Sequence, residues 1–218
     1  GNEGPQSAAL AFTVDTLAPS QSTAIVAIND DRGALQGAVA DGGFTDDAAP
    51  QVAGTVSAPL QAGEKVVVLR DGAVIGTAKM TDATHWSFDD TGLSDGRTYT
   101  YTARVEDAAG NRGAVSGSYA ITVDTSVPTQ AATISTVFDN ADPVQGDVAS
   151  GGTTNDSQPE LRGTVSGSLA GNELVAVYRD GVRIGTASIS GTSWSYTDTS
   201  GLANASSYSY TVRVEDAA

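Results

Sequence analysis

The sequence predicts an all-β protein built from tandem two-sheet β-sandwich domains, and three observations lead to this prediction. The chain repeats itself at an offset of 109 residues. Apolar and polar residues alternate in short runs separated by Gly, Pro, Asn and Asp, which is typical of half-buried strands joined by turns. The composition is rich in Gly (25 of 218 residues), Thr, Ser, Val and Ala and contains a single Met. That balance favours strands and turns over amphipathic helices.

The repeat defines the predicted domain organisation. The segment Arg70–Ala78 recurs as Arg179–Ala187, and the same offset relates Val14-Asp15-Thr16 to Val123-Asp124-Thr125, Pro19 to Pro128, Gly54 to Gly163 and Leu93 to Leu202. Only Trp86 and Trp194 are one residue out of step. We predict three segments: residues 1–15 as the last strand of a preceding domain, 16–124 as a complete domain, and 125–218 as a domain lacking its last strand. We therefore expect the chain to be part of a longer array.

Period-two alternation places the strands of the complete domain. The predicted strands are Ala24–Ile28, Gln51–Ser57, Lys65–Arg70, Val74–Met80, His85–Asp89, Tyr99–Val105 and Tyr119–Val123. Asp71-Gly72 between the third and fourth strands predicts a tight hairpin. Along residues 99–105 the odd-numbered side chains share one face, which we expect to be the core face.

About seven strands in roughly 100 residues is the size of an immunoglobulin-like (Ig-like) sandwich. Trp86 and Trp194 are the expected core tryptophans of the two domains. We also expect the Tyr99 hydroxyl to bond back to the backbone of the preceding corner, residues 93–96, as tyrosines at the start of a penultimate sandwich strand do.

Charge and composition exclude several classes of function. Twenty-six Asp and Glu against 11 Lys and Arg give a net charge of -15, which repels nucleic acid and anionic lipid headgroups. The chain has no Cys, so disulfides, zinc-thiolate sites and thiol nucleophiles are excluded. No apolar run approaches the roughly 20 residues that span a bilayer. We therefore predict no nucleic-acid partner and no membrane insertion in this segment.

Catalysis is not expected either. Hydrolytic or transfer chemistry needs a base beside a nucleophile, or paired carboxylates in a shaped pocket. His85 is the single imidazole of the chain, lies next to Trp86, and has no counterpart in the second repeat. We interpret His85 as a solvent-facing strand residue and predict that the segment is not an enzyme.

The repeat signatures resemble those of a known family, the bacterial Ig-like repeats of giant surface adhesins and biofilm-associated proteins. The matching motifs are Val-Asp-Thr with a following Pro (14–19, 123–128), Thr-Asp-Asp-x-x-Pro or its variant (45–50, 154–159), Arg-Asp-Gly-x-x-x-Gly-Thr-Ala, and Val-Glu-Asp-Ala-Ala-Gly-Asn (105–111). The resemblance implies a secreted or cell-surface array that spaces a distal adhesive tip, commonly with Ca²⁺ bound between successive domains.

Calcium is the cofactor that the acidic loops favour, because Ca²⁺ takes six to eight oxygen ligands from carboxylates and carbonyls. In an Ig-like topology, stacked domains bring opposite poles together. The candidate ligands are Asp30, Asp31, Asp124, Glu215 and Asp216 at the junction of the two repeats, Asp15 and Asp107 at the preceding junction, and Asp139 at the following one. The alternative is that these residues only cap turns and otherwise stay solvated. Asp46-Asp47, Asn155-Asp156, Asp71 and Asp180 are assigned to turns.

The predicted function is that of a structural extender in a bacterial adhesin or biofilm protein, located outside the cell and stiffened by Ca²⁺ at its junctions. Its expected partners are neighbouring repeats of the same chain or other copies in head-to-tail contact, with a host or matrix surface bound through other parts of the protein. Residues 1–15 could add a strand to another copy and so build filaments. Two alternatives stay open: a carbohydrate- or protein-binding Ig-like module, which an exposed aromatic cluster would favour, and an accessory repeat of a secreted enzyme.

Overall fold

A computed structural model describes residues 1–2, 4–33, 35–216 and 218, and in this part of the chain all regular structure is β-strand. The predicted all-β fold is confirmed. The chain divides into two compact units, residues 1–124 (unit 1) and 125–218 (unit 2). The described residues include no helix with the length and hydrophobicity needed to span a membrane.

The described residues of unit 1 form ten strands in two five-stranded sheets. The strands are β1 (Thr23–Asp30), β2 (Gly37–Val39), β3 (Gly43–Thr45), β4 (Gln51–Val56), β5 (Lys65–Arg70), β6 (Ala73–Thr77), β7 (Lys79–Met80), β8 (His85–Asp89), β9 (Thr98–Glu106) and β10 (Tyr119–Val123). One sheet has the order β2-β1-β4-β8-β7 and the other β3-β10-β9-β5-β6. The two sheets enclose a single apolar cluster, as an Ig-like sandwich requires.

The hairpin between β5 and β6 forms where the sequence predicts it. Asp71 and Gly72 both have positive φ angles, 53° and 79°, the backbone that a tight two-residue hairpin turn needs. Asp tolerates this conformation better than most residues, and Gly adopts it without steric cost. Asp180 and Gly181 repeat the turn in unit 2, with φ angles of 52° and 81°.

Trp86 lies at the centre of the core, as predicted, and is only 1% exposed. Its ring covers Gly54 on the neighbouring strand β4, where a Cβ atom would come within 2.1 Å of the indole, so only glycine fits there. The indole N–H is satisfied by the Thr23 hydroxyl at 3.0 Å. Trp194 packs on Gly163 in the same way and is 3% exposed, which confirms the second core tryptophan.

The tyrosine corner is confirmed in both units. The backbone N–H of Ser94 donates to the Tyr99 hydroxyl oxygen at 2.8 Å, and that of Ala203 donates to Tyr208 at 2.9 Å. The odd-numbered face of β9 is buried, with Tyr101, Ala103 and Val105 at 0% exposure.

The prediction of one continuous strand over Val74–Met80 is wrong. Residues 74–80 form two strands, because β6 pairs with β5 in one sheet whereas β7 pairs with β8 in the other. The chain therefore crosses between the sheets at Ala78, whose N–H donates to Val66 O at 2.9 Å. The three-residue strands β2 and β3 were not predicted, since they are too short and too rich in glycine to show alternation.

Unit 2 repeats this architecture with eight strands among its described residues. They are β11 (Ala132–Asp139), β12 (Gly146–Val148), β13 (Glu160–Val165), β14 (Glu173–Arg179), β15 (Val182–Thr186), β16 (Ser188–Ser190), β17 (Ser193–Thr197) and β18 (Tyr210–Asp216). The first sheet has the order β12-β11-β13-β17-β16, and the second has three strands in the order β15-β14-β18. The described residues of the first 22 positions lie in no strand, so the assignment of 1–15 as the last strand of a preceding domain stays a prediction.

Candidate functional site

A buried ion pair joins the two sheets of unit 1 near the end of β8. Arg70 on β5 directs Nη1 at both carboxylate oxygens of Asp90, at 2.9 and 2.8 Å. Tyr101 on β9 donates its hydroxyl to Asp90 Oδ2 at 2.7 Å. Burial, followed by the hydrogen bond to Asp90, raises the pKa of Tyr101 well above its ordinary value. Tyr101 therefore stays protonated near neutral pH, and the cluster cross-links the two sheets of the sandwich.

Unit 2 contains the same cluster. Arg179 Nη1 lies 2.6 Å from Asp198 Oδ2, and Tyr210 donates to the same oxygen at 2.8 Å. Burial by itself would raise the pKa of Asp198, but hydrogen bonds from Ser200, Tyr210 and Arg179 lower it below the ordinary value. Neither cluster was predicted from the sequence. The signal was available, because all three residue types recur, with Asp198 displaced by the same one-residue step as Trp194.

One predicted calcium ligand in each unit, Asp30 in unit 1 and Asp139 in unit 2, accepts hydrogen bonds from a loop at one end of that unit. Asp30 Oδ2 accepts from the Thr45 hydroxyl at 2.6 Å, and Oδ1 accepts from Arg32 N at 2.6 Å. In unit 2, Asp139 Oδ2 accepts from Thr154 at 2.6 Å and Oδ1 from Ala141 N at 2.8 Å. The bond from Thr154 is the main cause of a lowered pKa of Asp139. Both carboxylates therefore cap turns within their own unit.

Asp47 and Asp156, which the sequence assigns to turns, also accept backbone hydrogen bonds in these loops. Asp47 Oδ1 accepts from Ala49 N at 2.7 Å, and Asp156 Oδ1 accepts from Gln158 N at 2.8 Å. Asp124 lies at this end of unit 1 as well, since its N–H donates to Thr45 O at 2.9 Å. Asp30 and Asp124 thus both contact Thr45 and lie at the same end of unit 1, as the predicted topology requires.

Asp15 and Asp107 lie at the opposite end of β1, where Asn111 connects them. Asn111 Nδ2 donates to Asp15 O at 3.1 Å and to Asp107 Oδ2 at 2.9 Å. Asp107 Oδ1 also accepts from the N–H groups of Ala109 and Asn111, and the Asn111 side chain is the main cause of a lowered pKa of Asp107. The Asp15 carboxylate accepts from Leu17 N at 3.1 Å.

The remaining predicted calcium ligands, Asp31, Glu215 and Asp216, differ in the ion pairs and hydrogen bonds that they form. Asp31 is exposed and pairs with Arg32 at 3.3 Å. Glu215 lies inside β18, where Arg213 and Arg183 approach its oxygens at 2.7 and 3.2 Å and Tyr178 donates to it. Asp216 Oδ1 accepts from Ala218 N at 3.3 Å. The charge of Glu215 is therefore already matched by two arginines.

No group of three or more His, Asp or Glu side chains that could hold a metal ion occurs within residues 1–2, 4–33, 35–216 and 218. Each predicted calcium site draws its ligands from two consecutive units. Calcium binding at the junctions therefore stays a prediction, while the turn-capping role is present at Asp15, Asp30, Asp107 and Asp139.

His85 is solvent-facing, as predicted. Its Nδ1 lies 2.8 Å from Asp82 Oδ2, and both side chains are more than half exposed. Backbone hydrogen bonding from Thr84, followed by the bond to His85, lowers the pKa of Asp82 to about 2. The Thr84 hydroxyl lies 3.4 Å from Nδ1 and 3.5 Å from Asp82 Oδ1, so both contacts are long for hydrogen bonds.

Open depressions mark the outer face of the first sheet in both units. In unit 1 the lining includes Val26, Ala53 and His85, and in unit 2 the corresponding positions are Ser135, Arg162 and Ser193. The lining therefore changes between the repeats. Among the described residues every Trp, Tyr and Phe except Phe12 is buried or half-buried, so neither depression presents an exposed aromatic side chain.

Residues 20–125 match the family model described as Bacterial Ig-like domain. This part of the chain is a bacterial Ig-like domain. The matched range covers all ten strands of unit 1, and the fold prediction and the predicted family resemblance are both confirmed there.

Beyond the bacterial Ig-like domain itself, one curated relative is similar over a longer stretch. Exoglucanase B of Cellulomonas fimi is 33% identical over 145 residues, which is 66% of this chain but 12% of the relative's length. Bacterial Ig-like domains are typically non-catalytic, and the similarity concerns only a segment of that enzyme.

Two solved structures are similar at low identity. CopC from Methylosinus trichosporium OB3b has 20% identity and a TM-score of 0.27, covering 40% of this chain and 85% of its own. The central fibronectin-III array of RIM-binding protein has 15% identity and a TM-score of 0.25, covering 87% of this chain and 63% of its own. At such TM-scores neither structure supports a conclusion about the bacterial Ig-like domain.

Proposed function

We propose that the chain is a non-catalytic spacer, an accessory repeat segment of a secreted bacterial protein. The observation that carries the proposal is that the two units share their interior and not their outer surface. Both have a core tryptophan on a glycine, a tyrosine corner and a buried Arg-Asp-Tyr cluster. A ligand site repeated in both units would instead preserve the lining of the outer depressions.

The similarity to Exoglucanase B favours an accessory segment of a secreted enzyme over the repeats of an adhesin. It extends across 66% of this chain while accounting for 12% of that enzyme, the relation expected of a module that lies beside a catalytic domain. An accessory segment of a secreted enzyme and a repeat of an adhesin would both act as spacers. The proposal therefore keeps the predicted extender function and drops the attachment to an adhesin.

The composition and the core suit a spacer physically. A net charge of -15 keeps the surface solvated and disfavours association with other acidic surfaces. Arg70 and Tyr101 come from the second sheet and meet Asp90, which follows the first sheet, so the cluster ties the two layers together. Such a sandwich keeps its length without any bound ligand.

A depletion assay tests the proposal against the ligand-binding alternative. Purified chain is mixed with insoluble cellulose and other bacterial and plant polysaccharides, and both the supernatant and released sugar are measured. We expect the chain to stay in the supernatant and to release no sugar. Saturable retention that Ile189→Asp removes and Val182→Asp leaves intact would contradict the proposal, since exposed Ile189 lines the outer depression of unit 2 whereas Val182 begins β15.

We further propose that Ca²⁺ stiffens the junctions between consecutive units. Two observations support this proposal: Asp30 and Asp124 both contact Thr45 at one pole, and Asn111 links Asp15 with Asp107 at the other. A junction would then combine acidic groups from two poles. Isothermal titration with Ca²⁺ should give saturable heat with an affinity on the order of 10⁻⁴ to 10⁻³ M. Asp31→Asn should weaken binding because Asp31 is exposed at the pole, whereas Asp147→Asn on β12 should not. Equal heats for both variants and the parent chain would contradict the assignment.

A further inference from the structure

The loop between β11 and β12 of unit 2 contains the peptide bond between Asp142 and Pro143. Residues 142–145 are all exposed to solvent. The main-chain carbonyl oxygen of Asp142 accepts a hydrogen bond from Asn155 Nδ2 at 2.7 Å. The carboxylate oxygen Oδ1 of the same residue accepts one from Gln145 Nε2 at 3.2 Å. Two side chains therefore hold the main-chain carbonyl and the carboxylate of one aspartate.

Hydrogen bonds also close this loop on itself. Gln145 Nε2 donates to Asn140 O at 3.0 Å in addition to the Asp142 carboxylate. Asn140 N donates to Asp156 Oδ2 at 3.2 Å, which ties the start of the loop to the segment that carries Asn155. The amide of Asn155 and the carbonyl of Asp142 are thus brought together by the fold of unit 2.

Unit 1 has different residues at the equivalent positions. Residues 33–34 read Gly-Ala where 142–143 read Asp-Pro. Asp46 stands where unit 2 has Asn155. A Cβ atom at Gly33 would come within 2.0 Å of Asp46 Oδ2, so these two positions are neighbours in unit 1 as well. Glycine offers no carboxylate, and an ionised aspartate cannot donate a hydrogen bond, so unit 1 has the same loop without the same chemistry.

An aspartate followed by a proline contains the groups needed to cleave its own peptide bond. The carboxylate reaches the main-chain carbonyl carbon of its own residue by closing a five-membered ring, which makes the attack intramolecular. The proline nitrogen leaves as a secondary amine, which takes up a proton more readily than a primary amine does. A hydrogen-bond donor at the carbonyl oxygen stabilises the negative charge that develops there. Asn155 Nδ2 is such a donor.

We propose that unit 2 cleaves its own backbone between Asp142 and Pro143, with water as the second reactant. Oδ2 of Asp142 forms a bond to the carbonyl carbon of the same residue, and the carbonyl electron pair moves to the oxygen that Asn155 holds. This pair returns as the C–N bond breaks, and the Pro143 nitrogen takes up a proton from the solvent. Water then adds to the cyclic anhydride and leaves a carboxyl terminus at Asp142 and an amino terminus at Pro143.

The proposal goes beyond spacing, because it adds a covalent event to the segment. It rests neither on calcium binding nor on the choice between enzyme and adhesin. β11 lies before the cleaved bond and pairs with both β12 and β13, which lie after it. The cleaved chain should therefore keep its folded size and come apart only when unit 2 unfolds.

Mass spectrometry of the 218-residue chain, denatured after incubation in mildly acidic buffer, measures the cleavage directly. We expect fragments 1–142 and 143–218 to accumulate, while size-exclusion chromatography without denaturant shows one species of unchanged size. In urea at the same pH the rate should fall by about tenfold or more, because unfolding removes the hydrogen bonds from Asn155 and Gln145. A chain that stays intact, or equal rates with and without urea, would overturn the proposal, since an ordinary acid-labile bond needs no fold.

Variants separate the nucleophile from the donor at the carbonyl. Asp142→Asn removes the carboxylate and should abolish cleavage, whereas Asn155→Ala keeps the carboxylate and should slow cleavage by about 10- to 100-fold. Gln158→Ala is the matched control, because the exposed amide of Gln158 donates to Thr199 O instead and its loss should change the rate by less than about twofold. Circular dichroism checks that each variant is folded before incubation. Equal rates for Asn155→Ala and Gln158→Ala would overturn the role of Asn155 and with it the proposal.

Trapping with hydroxylamine tests the anhydride without any substitution. Hydroxylamine adds to a cyclic anhydride faster than water does and leaves a hydroxamate on fragment 1–142. The chain contains no Asn-Gly sequence, at which hydroxylamine also cleaves. We expect the hydroxamate at Asp142 in the folded parent chain. Fragments that carry no hydroxamate would overturn the proposal, because direct hydrolysis or a contaminating protease gives only the free acid.

Discussion

Tyr101 donates a 2.7 Å hydrogen bond to Asp90 across the interior of unit 1, with the tyrosine completely buried and the aspartate 5% exposed. Arg70 balances the charge of Asp90, so the group is a satisfied polar cross-link between two sheets. Buried ionic groups of this kind stabilise only when every partner is present. The recurrence of the cluster at Arg179, Asp198 and Tyr210 identifies it as a part of the repeat.

Removal of the tyrosine hydroxyl should affect the two units unequally. Tyr101→Phe leaves a fully buried Asp90 oxygen with one partner fewer and should destabilise unit 1 by about 1 to 3 kcal/mol. Tyr210→Phe is the matched variant, and its effect should be smaller because half-buried Tyr210 leaves room for water to replace the bond. Hydrogen exchange followed by mass spectrometry resolves the strands of each unit. A larger loss of protection in unit 2 for Tyr210→Phe would contradict this ranking.

The hairpin turn after β5 should discriminate between side chains that tolerate positive φ and those that do not. Asp71→Val places a β-branched residue at φ 53° and removes the acceptor of Thr100 N, so we expect a loss of about 1 to 2 kcal/mol. Asp71→Asn keeps both the conformation and a side-chain oxygen and should change stability by less than about 0.5 kcal/mol. Urea unfolding followed by circular dichroism measures both variants, and equal effects would show that the turn conformation is not strained.

Acid should weaken unit 2 through Asp198. The pKa of Asp198 is lower in the folded chain than its ordinary value of 3.8, so the carboxylate favours folding at pH values above 3.8. This contribution disappears as the pH falls from 3.8 through the lower folded value. Asp198→Asn lacks it at every pH. The stability difference between parent and variant, measured by thermal unfolding, should therefore shrink on acidification, and a difference that grows would contradict the assignment.

The contact between Gly54 and Trp86 should tolerate no added methyl group. Gly54→Ala would place a Cβ atom about 2 Å from the indole and from Ala24 O, and overpacking of this kind costs about 1 to 3 kcal/mol. Gly117→Ala is the matched control, because a Cβ atom there meets no heavy atom within 4 Å. Urea unfolding followed by tryptophan fluorescence should show the midpoint of unit 1 shifted only for Gly54→Ala. Equal midpoints would show that the facing strands can move apart.

Three strands have the bounds that the sequence predicts: Lys65–Arg70, His85–Asp89 and Tyr119–Val123. The first contains a continuous buried run, residues 66–69, whereas the other two alternate between more and less buried side chains. β3 could not be predicted in this way. Its pairing with β10 is parallel and joins residues more than 70 positions apart, so three residues become a strand only through a distant neighbour.

The acidic loops contain features of the candidate site that the sequence predicts and others that it cannot predict. The residue types and their recurrence indicated ligands for a hard cation, and the poles at which Asp30, Asp124, Asp15 and Asp107 lie follow from the topology. The hydrogen bonds from nearby backbone N–H groups to these carboxylates could not be predicted, because an aspartate that caps a turn and one that binds a cation look identical in sequence. Glu215 illustrates the difference, because one of its arginine partners, Arg183, comes from β15, a strand that is distant in sequence, and only Arg213 lies beside it on β18.

Pulling a single chain from both ends in an optical trap tests the spacer function most directly, because a spacer must keep its folded length under load without any ligand. The account predicts discrete unfolding events, and Tyr101→Phe should lower the unfolding force of unit 1 alone, because Tyr101 bonds to Asp90 inside that unit. A smooth extension without discrete events, or events that require added polysaccharide, would contradict the spacer function.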